Sequence, residues 1–399
     1  MFWYAVTVAQ LSKEPSVESV LSLLEEVASQ PLDYARRWKQ ETGRRVIGIF
    51  PMHFPGELAH AAGALPIILQ EDDKPITIGQ SNVFNFYCGY NRSIIDQALR
   101  GEFDVLDAIL FGDHCVQLLG TADVIRAHVP GMPILFNQLC SILDADWAMK
   151  ETQSTFGQLR RELEAIIGRK IEDEEVHASI RLFNRNRGLI RRLYDMRRRG
   201  QISLTGRQMQ AVVKSSMVMD KEQHCALLEK LIAQLERVPP HSQAVRVFLS
   251  GHLCHAPKLN ILDLVEECGG VVVDDDLYTG FRFVFADIDE TGSPIDALSN
   301  WYLSRNKKVP CPTRAMKEID WEDYLLKSVA ASGAQGLIVL MAKFCEPHMY
   351  FYPEIKEAFE RNGIPHLLIE TEHEGVPLEA LKTRLETFME IAKRRDVAA

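Results

Sequence analysis

Short β-branched apolar runs bounded by Gly, Pro and Asp recur along this chain of 399 residues, separated by stretches of helical spacing. In the first half they are RRVIGIFP (44–51), LPIIL (65–69), DAILFGD (107–113) and GMPILFN (131–137). In the second half they are VRVFLSG (245–251), GGVVVDDD (269–276), QGLIVLMA (335–342) and PHLLIETE (365–372). A short run that is apolar throughout has no solvent face, which is the pattern of a parallel strand covered on both sides. Parallel strands need crossover connections, which are nearly always right-handed. The expectation is an α/β chain with two doubly wound parallel sheets of Rossmann or flavodoxin type.

Between the halves the pattern changes. The stretch FGQLRRELEAIIGRKIEDEEVHASIRLFNRNRGLIRRLYDMRRRG (156–200) is rich in Leu, Ile, Glu and Arg at helical spacing. IEDEE puts acids near a helix start and Gly200 follows an Arg-rich end, as the helix dipole favours. VPPHSQ (238–243) breaks the helices before the second set of strands. The predicted plan is an N-terminal helical lead-in over 1–43, a first α/β domain over 44–150, a helical insert over 151–240, and a second α/β domain with a C-terminal helix over 241–399.

Composition narrows the function. With 46% hydrophobic and 25% charged residues the chain is ordinary globular protein, which excludes collagen-like, coiled-coil and largely disordered classes. A net charge of −10 argues against a nucleic-acid partner, which needs a strong positive field. No apolar run approaches the ~20 residues of a membrane span. The opening MFWYAVTVAQ lacks a basic region and a cleavage pattern, so it reads as structure and the expected location is the cytoplasm, with no membrane partner. Eight cysteines are too few for a disulfide scaffold, which a reducing cytosol would also oppose.

The standard short motifs are absent: no G-x-x-x-x-G-K-[ST], no G-x-G-x-x-G after a strand, no G-x-S-x-G, no H-E-x-x-H and no C-x-x-C. Any chemistry must come from a dispersed site. In open parallel sheets ligands sit beyond the carboxyl ends of the strands. Those positions hold Pro51-Met52-His53, Gly112-Asp113-His114-Cys115, Ser250-Gly251-His252, Asp274-Asp275-Asp276 and Lys343-Phe344-Cys345. Cys115 and Cys345 follow one strand in each half, and Cys88 in FNFYCGYNRS precedes the helix leading into the 107–113 strand. Three thiolates from a cleft between two domains could hold a soft metal, or three irons of a cubane with the fourth left open. Each could equally be a small hydrophobe in the core. Cys254 in SGHLCH is the best alternative ligand. Cys140, Cys225 and Cys268 suit core packing, and Cys311 between prolines suits a surface loop.

The residues around these cysteines carry a resemblance. PGELAHAAGALPI (55–67), YCGYNRSIIDQALRG (87–101), LDAILFGDHC (106–115), VVVDDDLYTGFRF (271–283) and KFCEPHMYFYPEIKEAFERNGIPHLLIETE (343–372) resemble the 2-hydroxyacyl-CoA dehydratase and benzoyl-CoA reductase family of iron–sulfur proteins. The likeness runs over nearly the full length and is weakest in the helical insert. In that family three cysteines of a subunit hold a [4Fe–4S] cluster, and the matching positions here are Cys88, Cys115 and Cys345. The resemblance implies an acyl-CoA substrate, a homologous second catalytic subunit and an ATP-hydrolysing iron–sulfur activator that delivers low-potential electrons singly. The lack of any ATP motif in this chain fits that division of labour. FYCGYNRS, GDHCVQ and the chain length most resemble the smaller catalytic subunit of an ATP-dependent benzoyl-CoA reductase, which dearomatises an aromatic acyl-CoA to a cyclic dienoyl-CoA. The alternatives are a dehydratase working through a ketyl radical, or a cluster-bearing relay subunit without its own substrate site. One departure is Val116-Gln117 after the second cysteine, where the family commonly has Asp.

Further candidates surround this trio. His53, Glu57 and His60 flank the first strand end, and Glu57 and His60 are three apart, so they share a helix face. They could position a thioester carbonyl or deliver a proton, or serve as caps and core. Asn91 and Arg92 could orient the cluster loop or meet an acyl group. His114 and His252 could donate protons or bond a turn backbone. Arg181, Arg185, Arg187, Arg191, Arg192, Arg197, Arg198 and Arg199 could meet CoA phosphates or a partner, or form a salt-bridged face. Asp274-Asp275-Asp276 looks like a cation site, but consecutive acids point in different directions, which favours a turn.

Overall fold

The computed structural model describes residues 16–51, 54–235, 244–317 and 319–395. Each of the eight apolar runs forms a strand. They are β1 (Val46–Ile49), β2 (Leu65–Ile68), β3 (Ala108–Gly112), β4 (Ile134–Asn137), β5 (Val245–Gly251), β6 (Gly270–Asp275), β7 (Gly336–Ala342) and β8 (His366–Thr371). They make two four-stranded sheets of order β2-β1-β3-β4 and β6-β5-β7-β8, parallel throughout. The two orders are the same in chain direction, so the second half repeats the topology of the first. The α/β expectation is met.

Burial explains the strand sequences. Every residue of β1, β2, β3 and β7 is buried, so none can be polar without a partner. The edge strands β4 and β8 are only partly covered. In β5 the period of two divides the side chains: Phe248 joins the core shared with the first sheet, while Val245, Val247 and Leu249 join a second core under the C-terminal helix.

The connecting region forms four helices, Ala148–Ile167, Asp173–Arg198, Gly206–Ser216 and Lys221–Leu235. The Asp173–Arg198 helix opens on a capping box between Glu172 and Glu175, and Gly200 follows its end at φ 64°. Its arginines tie the halves together. Arg187 bonds Glu57 at 2.6 Å, Arg191 bonds Asp287 at 2.6 Å, and Arg198 bonds Asp274 at 2.7 Å. Outer residues pair with local acids, Arg181 with Glu174 and Arg185 with Glu229. These arginines are therefore engaged with acids of the same chain.

The three consecutive aspartates diverge. Asp274 accepts from Arg198, and Asp275 accepts from the Tyr194 hydroxyl at 2.7 Å and the Phe281 amide at 2.8 Å. Asp276 pairs with fully buried Arg282 at 3.1 Å and accepts from Trp321 Nε1 at 2.8 Å and the Gly251 amide at 3.1 Å. At Gly280 a Cβ would run into the Asp275 carboxylate, so the turn after β6 requires glycine there. No helix among the described residues is long and apolar enough to cross a membrane.

Removing one member of a buried ion pair strands the other charge. Asp276→Ala should lower the unfolding free energy in urea by about 3–5 kcal/mol, and Asp276→Asn should not restore it, because Arg282 stays unpaired. A loss below about 1 kcal/mol would contradict this role.

Candidate functional site

Strand order reverses between β1 and β3, and again between β5 and β7. Those are the crevices where a doubly wound sheet binds ligands. The chain leaves β3 at Gly112 and reaches Cys115, the N-cap of the Val116–His128 helix. It leaves β7 at Ala342, passes Phe344 at φ 65°, and reaches Cys345, the N-cap of the Glu346–Arg361 helix. Cys88 is the N-cap of the Gly89–Leu99 helix. All three predicted ligands thus sit at the positive end of a helix dipole, where a thiolate is favoured.

The three line one cavity of about 480 Å³ with Cys254. Side chains from both halves build its wall. Gln117 spans them: its Oε1 accepts from the Cys88 amide at 2.8 Å, and its Nε2 donates to the Phe344 carbonyl at 3.1 Å. Asn91 donates to Cys88 Sγ at 3.1 Å and accepts from the Thr121 hydroxyl at 2.8 Å. Arg92 points elsewhere, donating to the Tyr87 carbonyl and pairing with Glu374 at 2.9 Å. It fixes the loop before Cys88 against the second half and does not line the cavity.

A buried polar chain stands behind Cys88. Glu71 takes His255 Nδ1 at 3.1 Å on one oxygen and His373 Nδ1 at 2.6 Å on the other. His373 Nε2 donates to the Lys74 carbonyl at 2.7 Å. Burial alone would push the His255 imidazole down, but its bonds to Cys88 and Glu71 outweigh that and hold it at about 10. Burial would push the Cys88 thiol up, yet His255 and Asn91 bring it below the ordinary thiol value. The other thiols lack such a partner. Burial, then the neighbouring Cys88, pushes Cys115 up to about 11. Burial and the same neighbour also raise Cys345, and burial with Cys115, Cys88 and Cys345 raises Cys254 well above the usual range.

His114 lines the cavity, and burial, with the charges of Arg314 and Arg305, keeps it neutral. His252, at φ 41°, lies behind the wall with its Nε2 2.7 Å from Thr371 Oγ1. Glu57 and His60 do share a face, and it meets the Asp173–Arg198 helix. Glu57 is buried against Arg187, while Ser179 donates to the Glu57 carbonyl and lies 3.0 Å from His60 Nδ1. Glu57 borders a second cavity of about 650 Å³, and His60 borders neither. His53 lies outside the described residues, as do the opening apolar segment and VPPHSQ. Cys311, expected on the surface, is buried, with its amide bonded to Asn306.

Glu71, His255 and His373 escape the sequence patterns considered above. The strand-end rule reaches two of them when applied to every strand, since Glu71 follows β2 and His373 follows β8. His255 is next to Cys254 in the loop after β5.

Among the described residues no three His, Cys, Asp or Glu side chains stand close enough to hold a single metal ion. Thiolates on one zinc-like ion lie within about 4 Å of each other, because each bond is only ~2.3 Å. A cubane spreads its ligands further, one to each iron. The donor set fits such a group: thiols held protonated chiefly by burial, and then by neighbouring cysteines, lose that penalty when a cation takes the proton's place.

A family model described as 2-hydroxyglutaryl-CoA dehydratase, D-component, matches residues 51–392. The chain is 26% identical over 374 residues to one of the subunits of benzoyl-CoA reductase from Thauera aromatica, covering 92% of this chain and 97% of that one. It is 28% identical over 379 residues to the beta subunit of lactoyl-CoA dehydratase from Anaerotignum propionicum, covering 94% and 99%. To the beta subunit of (R)-2-hydroxyglutaryl-CoA dehydratase from Acidaminococcus fermentans it is 22% identical over 379 residues, again covering 94% and 99%.

Gln117 links two cysteine loops, so Gln117→Ala leaves a buried amide and a carbonyl without partners. It should cost about 1–3 kcal/mol in chemical denaturation. Gln117→Glu keeps the acceptor for Cys88 but not the donor to Phe344, and an intermediate loss is expected.

Proposed function

The chain belongs to the 2-hydroxyglutaryl-CoA dehydratase D-component family, and on that premise we propose that it is the iron–sulfur subunit of an ATP-dependent benzoyl-CoA (aromatic acyl-CoA) reductase. Cys88, Cys115 and Cys345 hold a [4Fe–4S] cluster. A homologous second catalytic subunit and an ATP-hydrolysing iron–sulfur activator complete the cytoplasmic assembly. The observation that carries the cluster reading is the meeting of three distant cysteines, each a helix N-cap, at one buried cavity.

When bound, the cluster supplies single-electron transfer at low potential. The chain's own residues prepare the place. Helix N-termini and the His255 imidazolium offset the negative charge of the thiolates. The Asn91 amide donates to the Cys88 sulfur, a contact of the kind that tunes potential. Leu118, Leu253, Phe344 and Pro347 keep the cavity apolar and exclude water.

The aromatic acyl group is assigned to the neighbouring cavity of about 650 Å³, walled by Phe54, Phe183, Phe283, Phe285 and Trp301. Phe54 lines this cavity and His114 lines the cysteine cavity, with their ring centres 6.0 Å apart. Arg305 Nε is buried there with no hydrogen-bond partner among the described residues and is available to a thioester oxygen. Dearomatisation adds two electrons and two protons to the ring. A second reading, dehydration of a 2-hydroxyacyl-CoA, is favoured by the 28% identity to the lactoyl-CoA dehydratase beta subunit.

Anaerobically purified protein should contain iron and acid-labile sulfide in equal amounts. Cys88→Ser, Cys115→Ser and Cys345→Ser should each lose most of both, while Cys225→Ser should keep them. Assay with partner subunits, ATP and a reductant separates the reactions. A cyclic dienoyl-CoA from benzoyl-CoA supports the reductase; an enoyl-CoA from a 2-hydroxyacyl-CoA, with benzoyl-CoA untouched, supports the dehydratase.

A further inference from the structure

We propose that the cavity of about 650 Å³ takes an aromatic acyl group bearing a ring carboxylate, with Lys221 as the partner of that carboxylate. The inference rests on the placement of the acyl group in this cavity and narrows the class of that group; Arg305 keeps the thioester oxygen.

Four cationic side chains line the cavity: Arg187, Lys221, Arg282 and Arg305. Arg187 is neutralised by Glu57 at 2.6 Å and Arg282 by Asp276 at 3.1 Å. Lys221 and Arg305 line the same wall without an ion pair among the described residues. Their surroundings differ. Lys221 stands by Glu57 and Arg187, and Arg305 stands by Arg282 and Tyr278. The two charges therefore mark separate parts of the wall. One acyl group can meet the first with a substituent on its ring and the second with its thioester.

Lys221 is 4% exposed, although lysine is almost never buried without a counter-charge. Its Nζ donates to the Ser216 and Met219 carbonyls, which leaves an ammonium hydrogen without an acceptor among the described residues. The nearby acids are engaged. Glu57 holds Arg187, and Asp220 accepts from the Glu222 and Gln223 amides. The Lys221–Leu235 helix begins at this residue, so its dipole adds positive charge at the end where an acid is favoured. Burial lowers Lys221 to about 8, which is the cost of holding its charge there without an anion. Asn186, which also lines the cavity, is occupied: it accepts from the Ser216 hydroxyl at 2.6 Å and donates to His224 Nδ1 at 2.8 Å.

Charge and rings share one surface. Lys221 Nζ lies 5.0 Å from the centre of the Phe183 ring, and Arg187 lies 5.9 Å over Trp301, which stacks on Phe285 at 5.4 Å. A ring face replaces a carboxylate only in part, so these contacts leave the lysine short of a partner. A flat aromatic group fits such walls, and an unsubstituted ring would seal the ammonium in without an anion. A cation this deep suits one compact anion at the buried end of a ligand, not the several phosphate charges at the CoA end.

Isothermal titration calorimetry of the anaerobic protein with its partner subunits compares benzoyl-CoA, meta- and para-carboxybenzoyl-CoA, the methyl esters of both, and CoA. At least one carboxylated thioester should bind about ten-fold more tightly than benzoyl-CoA, the advantage of a hydrogen bond to a charged group. Its methyl ester, similar in size but neutral, should lose that advantage, and so should the carboxylated thioester with Lys221→Met. The ester comparison needs no variant to fold. Benzoyl-CoA binding as tightly as both carboxylated thioesters, an ester matching its acid, or a preference that survives Lys221→Met overturns the carboxylate site and leaves the acyl cavity standing. Thioesters that bind no more tightly than CoA itself overturn the acyl cavity as well.

Discussion

A parallel strand ends on the same side of its sheet as its neighbours, because every crossover carries the chain back to the starting edge. This chain uses that constraint twice, with the same strand order in each half. Loops carrying Cys88, Cys115, Cys254 and Cys345 therefore emerge from carboxyl edges that meet at one cavity. The helices that cover the sheets begin at these loops, so the same geometry supplies three N-cap cysteines. The cysteine positions and the helix dipoles beside them follow from one topological rule.

Buried charge holds the two edges in register. Gln117 joins the Cys88 and Phe344 backbones across the gap, and Arg92 with Glu374 and Glu71 with His373 do the same beside it. The Asp173–Arg198 helix ties both halves from behind through Arg187, Arg191 and Arg198. The Arg187–Glu57 pair is buried on both sides, so breaking it strands a charge and makes alternative arrangements costly. The same reasoning marks the cysteine cavity as different. There burial, with neighbouring cysteines adding to it, raises the Cys115, Cys345 and Cys254 thiols, while His255 and Asn91 bring Cys88 down.

Two cavities approach each other where Phe54 and His114 stand with ring centres 6.0 Å apart. Phe54 belongs to one and His114 to the other.

The strands were legible because an apolar β-branched run between turn residues has few other ways to be satisfied. Cys115 and Cys345 were legible for a related reason: position after a strand implies position at the sheet's ligand-binding edge. The shared face of Glu57 and His60 was readable from helical periodicity, but not what it would meet, which is the helix carrying Ser179 and Arg187. The prolines around Cys311 read as a surface loop; the structure buries it. Position after a strand marks Glu71 and His373 as edge residues, but not that they meet each other and His255 in one polar chain, since the three lie in separate loops. Periodicity reports which side of an element is covered. Only packing decides what covers it, because residues far apart in the chain become neighbours when both sheets close on a common edge.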